Sequence, residues 1–213
     1  MSESRPSRRY SSSLRAEQAA ATRARVVTAA AELFSARGYA GTSMPEIARA
    51  AGVSTETVQA HGPKSALLRA AIDAFAFGAD RDADARDTDL GARILAATSG
   101  TQAAELAGEV LTQVNSATHG LWLAFSEAAR ADDEIADAFR QLAAGIRAQN
   151  VAMISEWSAR GYLRADLSFD EHVDRSVLIS SVELYDRAVR VDGLSIAAYQ
   201  RLLTDMLREL VLP

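Results

Sequence analysis

The sequence contains no cysteine, and this absence excludes several classes of site. Disulfide bonds, zinc sites built on cysteine and thiol catalysis all require the missing side chain. A chain without disulfides fits a reducing compartment. The first residues are polar and rich in Ser and Arg, without the apolar segment of a secretory signal. We therefore expect a cytoplasmic protein.

Proline, aromatic residues and long apolar runs are also scarce. Only 4 prolines occur, and none lies between Gly78 and Leu212, so long helices can run there without interruption. No apolar run approaches the roughly 18 residues that span a membrane, so we expect no membrane partner. Alanine is frequent, which favours helices over sheets. These features predict an all-α fold.

Charge is divided unevenly along the chain. The net charge is −5, but residues 1–70 hold 10 Arg and Lys against 5 Asp and Glu. Residues 71–213 hold 13 basic residues against 23 acidic ones. A basic N-terminal third on an acidic body attracts phosphates to one end of the molecule, so nucleic acid is a candidate partner.

The segment from Thr42 to Lys64 has the pattern of two short helices joined by a tight turn. Ser43 and Glu46 have the spacing of a capping box, and Gly52 is placed to end the first helix. Ser54 is placed to cap the second helix, and Val58 gives that helix one buried side. The pattern predicts a helix-turn-helix, in which the second helix offers polar side chains to base edges in the major groove.

The chain around this motif divides into three predicted segments. We predict a disordered basic arm over 1–15, a helix-turn-helix domain over 16–77 that begins with a helix over 17–37, and a helical ligand-binding and dimerisation domain over 90–213. The acidic stretch 78–89 resembles the start of a calcium loop, but Ala85 and Gly91 replace the Gly and Glu that such a loop needs, which indicates a solvated linker. Apolar periodicity predicts helices in the larger domain over Leu90–Ser99, Thr101–Asn115, Ala117–Ala131, Asp133–Arg160, Phe169–Val191 and Ser195–Leu212. The second and third of these are either separate helices or one helix, joined or kinked near 118–120.

The last two predicted helices are apolar on more than one side. Such helices are either central in a monomer core or shared with another chain. We favour a homodimer through these two helices, because reading two half-sites requires two copies of the reading module.

Three runs of sequence carry a family resemblance. They are RARVVTAAAELFSARGYAGTS from Arg23 to Ser43, then IARAAGVSTETV, then HGPKSALL, and together they cover about 50 residues. These runs resemble the N-terminal domain of TetR-family transcriptional regulators. The resemblance implies a homodimeric regulator, usually a repressor, that binds a palindromic operator in double-stranded DNA and is released by a small molecule. The chain departs from the family pattern at Gln59, where an aromatic is usual, at Gly62, where Phe is usual, and in a shorter approach to Lys64.

Candidate binding residues follow from the exposed positions of the motif and from large side chains with a polar edge. For DNA contact we predict Thr42, Ser54, Thr55, Thr57, Gln59, His61 and Lys64. For an unknown small-molecule effector we predict His119, Trp122, Phe125, Met153, Trp157 and Tyr185, for each of which plain core packing is the alternative.

Sequence signals for an enzyme are poor. The three histidines lie far apart, and no phosphate-binding glycine loop or nucleophile motif occurs. We therefore expect no catalytic residue, no metal and no cofactor. An alternative function is an all-helical small-ligand sensor or carrier with a degenerate DNA-binding module.

Overall fold

The structure of the chain is a computed structural model, and it describes residues 8–76 and 89–212. Within these ranges every regular element is a helix. The helices are α1 (Arg8–Arg37), α2 (Met44–Ala51), α3 (Thr55–Gln59), α4 (Lys64–Ala76), α5 (Asp89–Leu95), α6 (Gly100–Ala129), α7 (Asp133–Ala159), α8 (Phe169–Ile179), α9 (Val182–Tyr185), a π-helical segment (Asp186–Val191) and α10 (Ile196–Leu210). The prediction of an all-α fold with an N-terminal helix-turn-helix is confirmed.

The first helix is longer than the sequence pattern predicts. Helix α1 begins at Arg8, so the part of the arm that the structure describes is helical. The predicted arm over 1–15 was based on polar composition. From Arg8 to Arg37 the chain has neither Pro nor Gly, so helical hydrogen bonds propagate through the polar residues without an interruption.

The two predicted helices over 101–115 and 117–131 are a single helix, α6. Of the alternatives that the sequence leaves open near 118–120, the joined helix is the one observed, because Gly120 does not break it. A Cβ at Gly120 would lie 2.6 Å from the carbonyl oxygen of Ser35, so glycine here permits α1 and α6 to pack closely. Ser99, assigned by the sequence pattern to the preceding helix, instead caps α6 by accepting a hydrogen bond from the amide of Gln102.

The predicted helix over 169–191 is divided. Helix α8 ends before Ser180, and Ser181 caps α9 by accepting from the amide of Leu184. The side-chain amide of Asn115 on α6 donates to the carbonyl oxygens of Ser180 and Ser181, at 3.4 Å each. A distant side chain therefore supplies partners for backbone groups that the break releases from the helix.

Helix α6 lies at the centre of the molecule and contacts α1, α4, α5, α7, α9 and α10. Two core clusters form along it. The first contains the buried faces of α1–α4 together with Leu121, Phe125 and Ile135 from α6 and α7. The second contains the N-terminal half of α6, the end of α7 and the last helices, with Tyr199 fully buried. The N-terminal domain that contains the helix-turn-helix thus shares its core with one end of the larger domain. No helix in 8–76 or 89–212 combines the length and the apolar character that crossing a membrane requires.

Candidate nucleic-acid interface

Helix α2 is held in place by one carboxylate. Glu46 accepts hydrogen bonds from the amide of Ser43 at 2.9 Å and from its hydroxyl at 2.7 Å. Arg37, at the end of α1, donates to the other oxygen of Glu46 at 2.8 Å. The hydroxyl and amide of Ser43, together with the charge of Arg37, lower the pKa of the Glu46 carboxyl. The carboxylate therefore joins the start of α2 to the end of α1.

The turn between α2 and α3 has the backbone that the sequence predicts. Gly52 has φ 66° and ψ 39°, in the left-handed region that favours glycine, and the next amide donates to Ala48. On either side of the turn, Ile47 and Val58 have no exposed surface. Burial of both fixes which side of α3 faces outward.

Helix α3 presents a short polar surface. Ser54 accepts from the amide of Thr57 at 3.2 Å, and the two hydroxyls lie 3.1 Å apart, so Ser54 caps the helix as predicted. Thr55 and Thr57 are half-buried, and Gln59 is exposed. The amide of Gln59 makes no side-chain hydrogen bond within the described ranges, and so it remains available to a base edge.

The end of helix α3 is defined by Gly62. Its φ of 118° is a conformation that other residues rarely adopt, which accounts for glycine where the family pattern has Phe. His61 precedes it and is half-buried. The amides of His61 and Gly62 donate to Val58 and Gln59 at 3.0 Å each, so the helix tightens as it ends.

Thr42 and Lys64 occupy a different environment from the exposed side chains of α3. The ammonium of Lys64 donates to the carbonyl oxygens of Tyr39 at 2.9 Å and Thr42 at 3.1 Å, and it lies 4.2 Å from the centre of the Tyr39 ring. Thr42 is 2% exposed, and its hydroxyl donates to the carbonyl of Gly38. These residues hold the α1–α2 loop against the start of α4. The sequence predicted both as DNA contacts and gave no indication of the Lys64–Tyr39 contact, since the two are 25 positions apart.

This geometry agrees with comparisons to known proteins. Residues 26–75 match the family model described as bacterial regulatory proteins, tetR family. The helix-turn-helix domain of this chain is similar to that of the TetR family. The predicted resemblance is therefore confirmed. Among curated proteins, none matches the chain.

Solved structures of transcriptional regulators share the fold along nearly the whole chain. A putative TetR-family transcriptional regulator from Rhodococcus sp. has a TM-score of 0.68 and 17% identity, and the match covers 89% of this chain and 98% of the other. A putative transcriptional regulator from Saccharomonospora viridis in complex with choline has a TM-score of 0.69 and 18% identity, with 90% and 97% covered. A ketosteroid transcriptional regulator of Mycobacterium tuberculosis has a TM-score of 0.55 and 18% identity, with 90% and 95% covered. These likenesses extend the fold assignment to the larger domain.

In this TetR-like fold, five of the six predicted effector residues are divided between the two core clusters, and His119 contacts a ring of the second. Trp122 and Phe125 belong to the first, where both rings pack against Phe139 with centroids 4.9 Å and 5.3 Å from it. The indole N–H of Trp122 also donates to Glu183 at 2.8 Å. This pair lies beside the DNA-reading module.

Of the other predicted effector residues, His119 lies on α6, Met153 and Trp157 lie on α7, and Tyr185 lies on α9. His119 packs on the ring of Tyr185 at 5.2 Å, and Tyr185 packs edge-on against Tyr199 at 5.1 Å. Met153 and Trp157 belong to the second core cluster. The sequence analysis missed Asn115, whose side-chain amide donates to the hydroxyl of Tyr199 at 3.0 Å. Burial raises the pKa of Tyr199, so its hydroxyl stays protonated.

Two buried nitrogens in the larger domain have no partner within the described ranges. They are Nε1 of Trp157 and Nε2 of His172, on residues that are 3% and 2% exposed. Nδ1 of His172 lies 2.7 Å from the carbonyl oxygen of Ser168, which makes Nδ1 the donor; in a neutral ring Nε2 is then an acceptor. Leaving such groups unpaired is costly, so both are candidates for ligand contact. His172 was not predicted, because a lone histidine in a helical pattern carries no signal of its own.

Proposed function

We propose that the chain is a ligand-responsive transcriptional regulator that binds a palindromic operator as a homodimer, represses transcription and is released by a small molecule. The observation that carries this proposal is the capped, braced helix α3 with an exposed Gln59 at the basic end of the chain. The side-chain amide of a glutamine can form two hydrogen bonds with one adenine: it donates to N7 and accepts from the amino group. Repression and release by a ligand are the usual behaviour of the family.

The homodimer is supported by exposed apolar side chains on the last helices. Leu178 on α8 is 70% exposed, and Phe169 and Ile196, at the starts of α8 and α10, are 41% and 44% exposed. Helices α8 and α10 are neighbours, so these exposed side chains are candidates for contact with a second chain. Pairing these helices with their copies in a second chain gives the two reading modules that a palindrome requires.

The effector is proposed to bind in the larger domain near Trp157 and His172. A ligand that bonds both must offer an acceptor to the indole N–H and a donor to Nε2, and a hydroxyl group does both. The Saccharomonospora viridis protein with a similar fold binds choline, which carries a hydroxyl and a cationic centre. Tyr185 and Tyr199 supply aromatic rings of the kind that attract such cations.

Helix α6 provides a route from the effector site to DNA. It contacts the ligand-side helices α9 and α10 as well as α1 and α4 of the reading module. A ligand that shifts α6 therefore changes the position of α3 in one protomer relative to its partner. This change alters the spacing between the two reading helices and so the fit to the operator.

The DNA-binding proposal is tested by mobility shift with the region upstream of the protein's own gene. We expect a salt-sensitive, sequence-preferring shift without ligand. Gln59→Ala should weaken specific binding by about 1–3 kcal/mol and leave non-specific binding unchanged. Thr55→Ala should act in the same direction.

Gln141→Ala, an exposed glutamine on α7, is the matched control and should leave the shift unchanged. If the wild-type protein shows no sequence-preferring shift, the alternative function as a ligand sensor or carrier gains support. Normal operator binding by both α3 variants would refute the roles of Gln59 and Thr55.

A further inference from the structure

A groove lies at the junction between the reading module and the larger domain. It has a volume of about 270 Å³ and is lined by one residue of α1, four of α4, one of α6 and three of α7. Small-molecule sites commonly measure about 300–1,000 Å³, so this junction groove suits a compact ligand. Phe125 is the only one of the six predicted effector residues that lines it.

The floor of the junction groove is apolar. Phe125 and Ile135 are 2% and 3% exposed, and both line the groove. Alanines of α4 and α7, Ala66, Ala70 and Ala138, line it as well and are half-buried. Because these alanine side chains are small, they leave space above the side chains of Phe125 and Ile135. The floor therefore suits an apolar tail.

The rim of the junction groove carries charge without partners. Arg23 on α1, Arg69 on α4 and Glu134 on α7 are exposed and line the groove. None of the three forms a hydrogen bond or ion pair with the described part of the chain. Their charges are therefore not neutralised by an ion pair of the kind that Arg160 makes with Glu156 and Arg164 makes with Asp166. Two guanidinium groups against one carboxylate make the rim positive.

We propose that the junction groove is a second ligand site that binds a small amphipathic carboxylate. The guanidinium groups of Arg23 and Arg69 bind the carboxylate head, since planar guanidinium and carboxylate groups match in geometry and charge. The tail lies on Phe125 and Ile135. Glu134 repels a second negative charge, so the site favours a monocarboxylate over a dicarboxylate.

A ligand in this groove would contact both the N-terminal helix-turn-helix domain and the larger domain. The groove takes walls from α1 and α4, which hold the reading helix, and from α6 and α7 of the larger domain. A bound carboxylate bridges these helices and stabilises one orientation of the reading module. The site is separate from the proposed effector contacts at Trp157 and His172, which lie in the other core cluster or beside it.

The test is calorimetric titration of the full-length protein with octanoate, without DNA. We expect saturable binding of one octanoate per chain that weakens as salt is raised. Two probes with the same tail serve as comparison, 1-octanol without charge and octylammonium with the opposite charge. Both should bind at least tenfold more weakly. Equal binding of octanol would overturn the proposal, because the arginines would then contribute nothing.

Charge variants locate the site. Arg69→Gln and Arg23→Gln should each weaken octanoate binding about three- to tenfold, the range for partly exposed charge-assisted pairs. Arg25→Gln is the control. Arg25 is an exposed arginine of the same helix, α1, but it does not line the groove, so its loss should leave octanoate binding unchanged. Octanoate binding that is unaffected by both groove variants would place the ligand elsewhere and refute the site. Because no DNA is present, this result is independent of the proposed operator binding.

Discussion

Glu46 connects three parts of the reading module through one side chain. Its two oxygens accept from Ser43 and from Arg37, and the hydrogen bonds from Ser43 are the largest cause of its lowered pKa. The capping-box spacing indicated the contact with Ser43. The contact with Arg37 depends on how α1 lies against α2, and no local pattern contains it.

A pH dependence follows from the lowered pKa of Glu46. A carboxyl whose pKa is lower in the folded chain stabilises the fold in full above its ordinary value of 4.5. This contribution is lost as pH falls through the lower, folded value. We therefore expect Glu46→Gln to lower the melting temperature at pH 7, and the difference from wild type to narrow below about pH 4.5.

Thermal unfolding followed by circular dichroism at pH 7 and at lower pH measures this effect. Glu32→Gln is the control, because Glu32 is an exposed glutamate of α1 without a partner in the described ranges. A Glu46→Gln difference that is constant across this range of pH would contradict the expectation.

Lys64 shows why a residue type does not by itself reveal a role. A lysine at the first position of a helix in a DNA-binding module is a reasonable phosphate contact. In the folded chain its ammonium is already bonded to Tyr39 and Thr42. The prediction that Lys64 binds DNA stands untested, but the structure gives it a role in holding the α1–α2 loop.

Helix α6 depends on close approach to its neighbours. Gly120 lies against Ser35 of α1, and Gly108 lies against Thr204 of α10, where an added Cβ would meet the threonine hydroxyl. Glycine in a helix interior costs about 1 kcal/mol relative to alanine. The two glycines therefore lower the helix propensity of α6 and permit contacts that a larger residue would prevent.

Gly120→Ala tests the contact between α1 and α6. The new Cβ would lie 2.6 Å from the Ser35 carbonyl oxygen and 3.1 Å from its Cα, and these backbone atoms cannot rotate away as a side chain does. Overpacking costs typically about 1–3 kcal/mol, which exceeds the gain in helix propensity. We expect a lower free energy of unfolding in urea. Glu105→Ala, on an exposed part of α6, should change it little, and an unchanged or more stable Gly120→Ala would show that α1 can move freely.

At the level of the assembled protein, the exposed apolar side chains of α8 and α10 predict association. A charge placed in a self-complementary apolar interface meets its own copy and loses hydration. We expect Leu178→Arg to convert the proposed dimer to a monomer, measured by size-exclusion chromatography with light scattering. The loss should lower operator affinity by removing one of the two reading modules.

Leu123→Arg is the matched control for this variant. Leu123 is 39% exposed and lies on α6, outside the proposed interface. It should leave the dimer intact. A wild-type protein that is monomeric at micromolar concentration, or a Leu178→Arg protein that remains dimeric, would contradict the proposed interface.

The amino-acid sequence alone determined the helical class, the helix-turn-helix and its family. These features depend on contacts within a few positions, such as the Ser54 cap, the left-handed Gly52 and the buried Val58, and such contacts leave local patterns.

Tertiary structure decided the rest, because the contacts concerned join residues far apart in the chain. Helix α6 continues through Gly120 because α1 packs there, and the 169–191 segment breaks at Ser180 and Ser181 where Asn115 of α6 bonds to its carbonyls. Lys64 is fixed by the α1–α2 loop in the same way. Five of the six predicted effector residues lie in two different cores, since periodicity shows which side of a helix is buried but not which helix covers it.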